Sequence, residues 1–66
     1  MRKNLIAERK SMGLTQVQAA NALLISERQY QAIESGYSKG SIDFWERAKD
    51  LFNTTIDALL EHDTEQ

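Results

Sequence analysis

The chain contains no cysteine and no proline. Without cysteine there are no disulfides, no thiolate metal site and no thiol nucleophile. A single histidine, His62, excludes a multi-histidine zinc site. It lies among Glu61, Asp63 and Glu65, an acidic group that reads as a solvated tail rather than a metal ligand set. The longest wholly apolar run, Ala22 to Ile25, is far too short to span a bilayer. No apolar stretch follows the basic Arg2 and Lys3, so the N-terminus does not read as a signal peptide. The expected setting is therefore cytoplasmic, with no membrane partner. Nothing pairs a nucleophile with a histidine base, and no glycine-rich loop could cradle a phosphate, so the chain does not read as an enzyme. No cofactor, catalytic residue or metal site is expected.

The 66 residues allow one domain and leave no room for a separate sensing domain. A core of that size is small, and association with a second copy is the natural extra source of stability. The net charge is −2 and the isoelectric point about 5.2. That balance by itself argues against a polyanion ligand. The distribution argues the other way. Residues 1–40 carry six basic and three acidic side chains, a net +3; residues 41–66 carry two basic and seven acidic, a net −5. Such a chain can point one face at a polyanion and the other away from it.

Sustained period-2 alternation is absent, so the chain reads as all-α. The first helix is expected over Lys3–Ser11, with Leu5, Ile6, Arg9 and Met12 on adjoining turns and Gly13 as its stop. Thr15 with Gln18, and Ser26 with Gln29, are capping boxes that open helices over Gln16–Leu23 and Glu27–Ser35. Ile25 and Tyr30 are placed for a hydrophobic staple. Gly36 ends the third helix, and residues 37–40 form a loop. Ser41 caps a fourth helix, in which Ile42, Trp45, Ala48, Lys49 and Phe52 recur at helical spacing and Asn53 takes the left-handed stop. Thr55 caps a fifth helix, Ile56 to Glu61, and residues 62–66 form a polar, frayed tail outside a domain of residues 1–61. The caps Thr15 and Ser26 are 11 residues apart, the spacing of a helix, a short turn and a second helix.

The stretch Gly13-Leu14-Thr15-Gln16, then Ala20, then Leu23-Leu24-Ile25-Ser26, then Ile33-Glu34-Ser35-Gly36 resembles the lambda-repressor-like helix-turn-helix domain of phage repressor and Cro-type regulators. The ending Ile56-Asp57-Ala58-Leu59-Leu60 looks like that family's final helix. The resemblance covers about residues 3–61. It implies a compact five-helix domain whose second helix lies across the DNA backbone while the third enters the major groove.

On that resemblance, Glu27, Arg28, Gln29, Gln31 and Ala32 are the base-reading candidates. Arg28 suits guanine, Gln29 an adenine or a phosphate, and Ala32 a thymine methyl. Glu27 either accepts from a cytosine amine or simply complements the helix dipole. Gln16, Tyr37, Ser38 and Lys39 are the phosphate-contact candidates, with Arg2, Lys3 and Lys10 adding long-range attraction. Arg9 and Glu34 are a structural ion pair, worth about 3–5 kcal/mol to break if buried and about 0–1 kcal/mol if exposed. Leu24 stands where the family commonly has a left-handed glycine. Either it accepts a cost of about 1–2 kcal/mol or the turn takes another path. Gly40 stands where a proline is frequent.

The function expected from this resemblance is sequence-specific transcriptional regulation, with a homodimer bound to double-stranded operator DNA. The dimer-surface candidates are Phe44, Leu51, Ile56, Leu59 and Leu60, with Phe44 or Leu59 partly exposed. A second reading is a protein-interaction module, antitoxin-like or regulatory, whose acidic C-terminal half binds a protein partner.

Overall fold

The computed structural model describes residues 1–60. It contains five α-helices: α1 Lys3–Ser11, α2 Gln16–Ala22, α3 Glu27–Ser35, α4 Ile42–Leu51 and α5 Ile56–Leu60. There is no strand among the described residues. The expected last turn at Glu61, the polar tail and the group around His62 lie outside them. The second helix ends one residue before the expected Leu23, which serves as its C-cap.

Local chemistry sets the helix ends. Thr15 Oγ1 accepts from the Gln18 amide at 3.1 Å, and Gln18 Oε1 accepts from the Thr15 amide at 2.8 Å. Ser26 and Gln29 repeat the exchange at 3.1 and 3.4 Å. Ser41 Oγ and Thr55 Oγ1 accept from the amides of Phe44 and Ala58. These bonds satisfy amides that helix geometry leaves without an intrahelical acceptor.

At their C-termini, α1, α2 and α4 close in the same way. A residue with positive φ (Gly13, Leu24 or Asn53) follows the cap. The next amide then reaches back to a carbonyl in the last turn: Leu14 to Arg9, Ile25 to Ala20 and Thr54 to Lys49. This is the Schellman closure. Leu24, at φ 63°, therefore takes the left-handed path despite its side chain.

The core lies between the helix pair α2–α3 and the remaining helices. Leu5, Ala19, Ala20, Leu23, Tyr30, Phe44, Ala48 and Leu59 are its most deeply buried members. The Tyr30 and Phe44 rings pack with centroids 6.3 Å apart. Asn4 Nδ2 donates to the Ala58 carbonyl and ties α1 to α5.

Phe44 and Leu59 are each only 1% exposed. They fill the core and cannot form the partly exposed apolar surface expected of them. Ile42 departs in the opposite sense, being 79% exposed rather than part of the buried stripe. The buried face of α4 is centred on Phe44, Trp45 and Ala48. Leu51, Ile56 and Leu60 pack against the core while keeping part of their surface in solvent.

Candidate nucleic-acid interface

The segment from α2 to α4 builds a polar surface on an apolar base. Tyr30, Ile33 and Glu34 turn one side of α3 into the core. Helical spacing then leaves Glu27, Arg28, Gln29 and Gln31 exposed and Ala32 half-buried. Arg28 has no side-chain partner among the described residues. Gln29 is engaged in the Ser26 capping box through its Oε1. The expected reader is therefore also part of the helix start.

A groove of about 410 Å³ runs beside α3. It is lined by Gln29 of α3, by Ser38, Lys39 and Gly40 of the loop, and by Ser41 at the start of α4. The base-reading candidate Gln29 and the phosphate candidates Ser38 and Lys39 thus share one open surface. Tyr37, next to them in the chain, is 91% exposed.

The loop is held by specific bonds. Trp45 Nε1 donates to the Lys39 carbonyl at 2.8 Å. Gly40, at φ 78°, lies where an added Cβ would sit 3.0 Å from Trp45 Nε1. Glycine is required there both by backbone conformation and by close approach.

Arg2, expected to add long-range attraction, also has a local role. Its Nε donates to the Ile33 carbonyl at 2.9 Å and an Nη to the Ser38 carbonyl at 3.2 Å. Its guanidinium lies 5.2 Å from the Trp45 ring centroid, within cation–π range. Arg2 thus caps α3 and fastens the loop that follows it.

Behind the surface, Arg9 Nε and Glu34 Oε2 form an ion pair at 2.8 Å, with side chains 12% and 5% exposed. At that exposure the larger, buried-pair cost applies. Tyr30 Oη donates to Glu34 Oε2 and Gln16 Nε2 to Glu34 Oε1, both at 2.8 Å. Burial pushes the Glu34 carboxyl up, but the hydrogen bonds from Arg9, Gln16 and Tyr30 outweigh it and hold its pKa below the ordinary value. The Tyr30 hydroxyl is raised by its burial and by the adjacent carboxylate. Gln16, expected at a phosphate, therefore also belongs to this cluster.

Sequence spacing did not reveal this wider network. Of the side-chain bonds to Glu34, only Tyr30–Glu34 is an i, i+4 pair of the kind that helical spacing can bring together. The links from Arg2 and Gln16 join distant parts of the chain and leave no local signal.

Among the described residues no helix is long and apolar enough to cross a membrane, and no cluster of acidic residues and histidine could hold a metal ion. No curated protein and no solved structure gives a significant match to the chain. The model of a helix-turn-helix family matches residues 5–59, from the first turn of α1 into α5. With two capped helices joined through a left-handed turn at the centre of that match, the chain belongs to the helix-turn-helix family of repressor and Cro-type proteins, a family of DNA-binding transcription regulators rather than enzymes.

Proposed function

We propose that this protein is a repressor or Cro-like regulator that binds operator DNA in the major groove as a homodimer. The observation that carries this reading is the exposed, unpartnered Arg28 on the first turn of α3, next in the chain to Gln29, which lines the groove with Ser38 and Lys39. A guanidinium there forks onto guanine O6 and N7, a contact worth about 1–3 kcal/mol of discrimination. Ala32 is suited to a thymine methyl, and Glu27, Gln29 and Gln31 supply the remaining base-edge contacts. Gln16, Tyr37, Ser38 and Lys39 fix the register on the phosphates.

A lone domain of this size makes few contacts, and two-fold pairing on adjacent half-sites doubles them. Leu51, Ile56 and Leu60 are the proposed apolar part of the dimer surface, since Phe44 and Leu59 are enclosed.

Selection from a randomised duplex library tests the reading. A palindromic consensus is expected, and Arg28→Ala should relax one base pair in each half-site. Equal loss of affinity on all sequences would contradict the role of Arg28. A folded protein that enriches nothing would contradict the DNA-binding reading. A partner for the exposed acidic residues Asp43, Glu46, Asp50 and Asp57 would then take its place.

A further inference from the structure

A line of side-chain amides connects the buried carboxylate to the exposed face of α3. Gln16 Nε2 donates to Glu34 Oε1 at 2.8 Å. Gln16 Oε1 accepts from Gln31 Nε2 at 3.2 Å. Gln31 Nε2 also donates to Glu27 Oε2 at 3.2 Å. The two ends of this line are carboxylates.

An ionised carboxylate only accepts hydrogen bonds. Glu34 therefore draws the NH₂ of Gln16 inward, which turns the Gln16 carbonyl toward Gln31. Glu27 draws the NH₂ of Gln31 from the other side. Flipping Gln31 would set its carbonyl oxygen against an amide oxygen and a carboxylate. Both amide orientations are fixed by their partners. Both N–H groups of Gln31 are spent, and its carbonyl oxygen has no donor among the described residues.

We infer that Gln31 reads DNA as an acceptor only, and that Gln16, held by Glu34, is a positioning residue that sets this polarity. The inference rests on the DNA-reading role proposed above and specifies its sequence preference. A free amide can pair with adenine through both of its groups, or present its NH₂ to guanine. An acceptor-only amide has one choice, an amino group at the base edge. In the major groove cytosine N4 and adenine N6 are such donors, while guanine O6 and N7 and thymine O4 accept. The carboxylate of Glu27 beside it has the same preference. Arg28, donor-only, supplies the opposite preference on the adjacent position. The half-site should therefore contain a base restricted to adenine or cytosine where Gln31 reaches, distinct from the guanine expected at Arg28.

The test is selection from the randomised duplex library with the full chain and three variants, each checked for folding by its thermal melt. Gln31→Leu identifies the base concerned as the one whose preference it removes. At that base the wild type should favour adenine or cytosine over guanine or thymine by about tenfold, the value of one hydrogen bond gained rather than two acceptors opposed. Gln16→Met should reduce that ratio to about twofold, leaving preferences at the other bases unchanged. Its loss of a phosphate contact would lower affinity evenly and leave the ratio alone. Should Gln16→Met not fold, Glu27→Met removes the acceptor at the exposed end, releases the same amide and should relax the same base.

The inference is overturned if the wild type selects guanine or thymine at that base, if Gln31→Leu alters no base, or if the ratio survives release of the amide. Those results all require a consensus. A folded wild type that yields none instead defeats the DNA-binding reading, and this inference with it.

Discussion

Glu34 is the one charged residue among those described that the fold takes almost wholly out of water, at 4% exposure. Three side chains, Arg9, Gln16 and Tyr30, compensate it. Its pKa is lowered from the ordinary 4.5, so its contribution to stability is complete above that value. It fades as the pH falls toward the folded pKa, because the folded state then has to take up a proton it binds poorly. Glu34→Gln should lower the melting temperature at neutral pH and show a shallower acid loss than wild type below about pH 4.5. Parallel melting curves across that range would refute the assignment.

Trp45 provides a second test at this scale. It is 7% exposed, donates to the Lys39 carbonyl and lies under the Arg2 guanidinium. Trp45→Ala should cost about 3–5 kcal/mol, and an unchanged urea midpoint would show that it is not core.

The elements were legible in the sequence to the extent that their signals are local. Thr15 with Gln18 and Ser26 with Gln29 are capping boxes within four residues, and both form. Gly13 and Asn53 are stop residues, and both adopt positive φ. The inward face of α4 was less legible. A period of 3.6 residues fits a stripe begun at Ile42 about as well as one begun at Phe44. The choice falls to Phe44 because Tyr30, far away in sequence, offers it a ring to pack against. The fastening of the α3 end by Arg2 was hidden for the same reason, since it reaches across 31 and 36 residues.

Leu24 tests the turn itself. Its side chain is 73% exposed, so it gains little from burial while holding a left-handed backbone. Leu24→Gly removes a strain of about 1–2 kcal/mol and adds unfolded-chain entropy of about 0.5–1 kcal/mol. The net expectation is stabilisation by about 0.5–1 kcal/mol, a rise of a few degrees in melting temperature. A lower melting temperature would show that the leucine makes a contribution beyond its backbone.

For the whole molecule, charge is divided along the chain, with a net +3 in residues 1–40 and −5 in residues 41–66. The helix-turn-helix and its following loop lie in the first part, so the modest overall acidity does not describe the proposed binding surface. Composition revealed that division, but not which basic groups remain available to a ligand. Arg9 is paired with Glu34, and Arg2 is bonded to backbone carbonyls. Lys39, exposed on the groove wall, is the phosphate contact proposed for the loop. Lys39→Ala should weaken binding nearly uniformly across sequences and reduce the salt slope by about one per monomer. A change confined to one base pair would assign it a reading role instead.

The most direct test of the account is the affinity of the full chain for its best selected duplex and for a scrambled duplex, at about 50 and about 200 mM salt. A major-groove reader that neutralises several phosphates should lose affinity steeply over that range while keeping a preference of at least about 10³-fold for the selected site. Equal, weak binding to both duplexes by a folded protein would contradict the account.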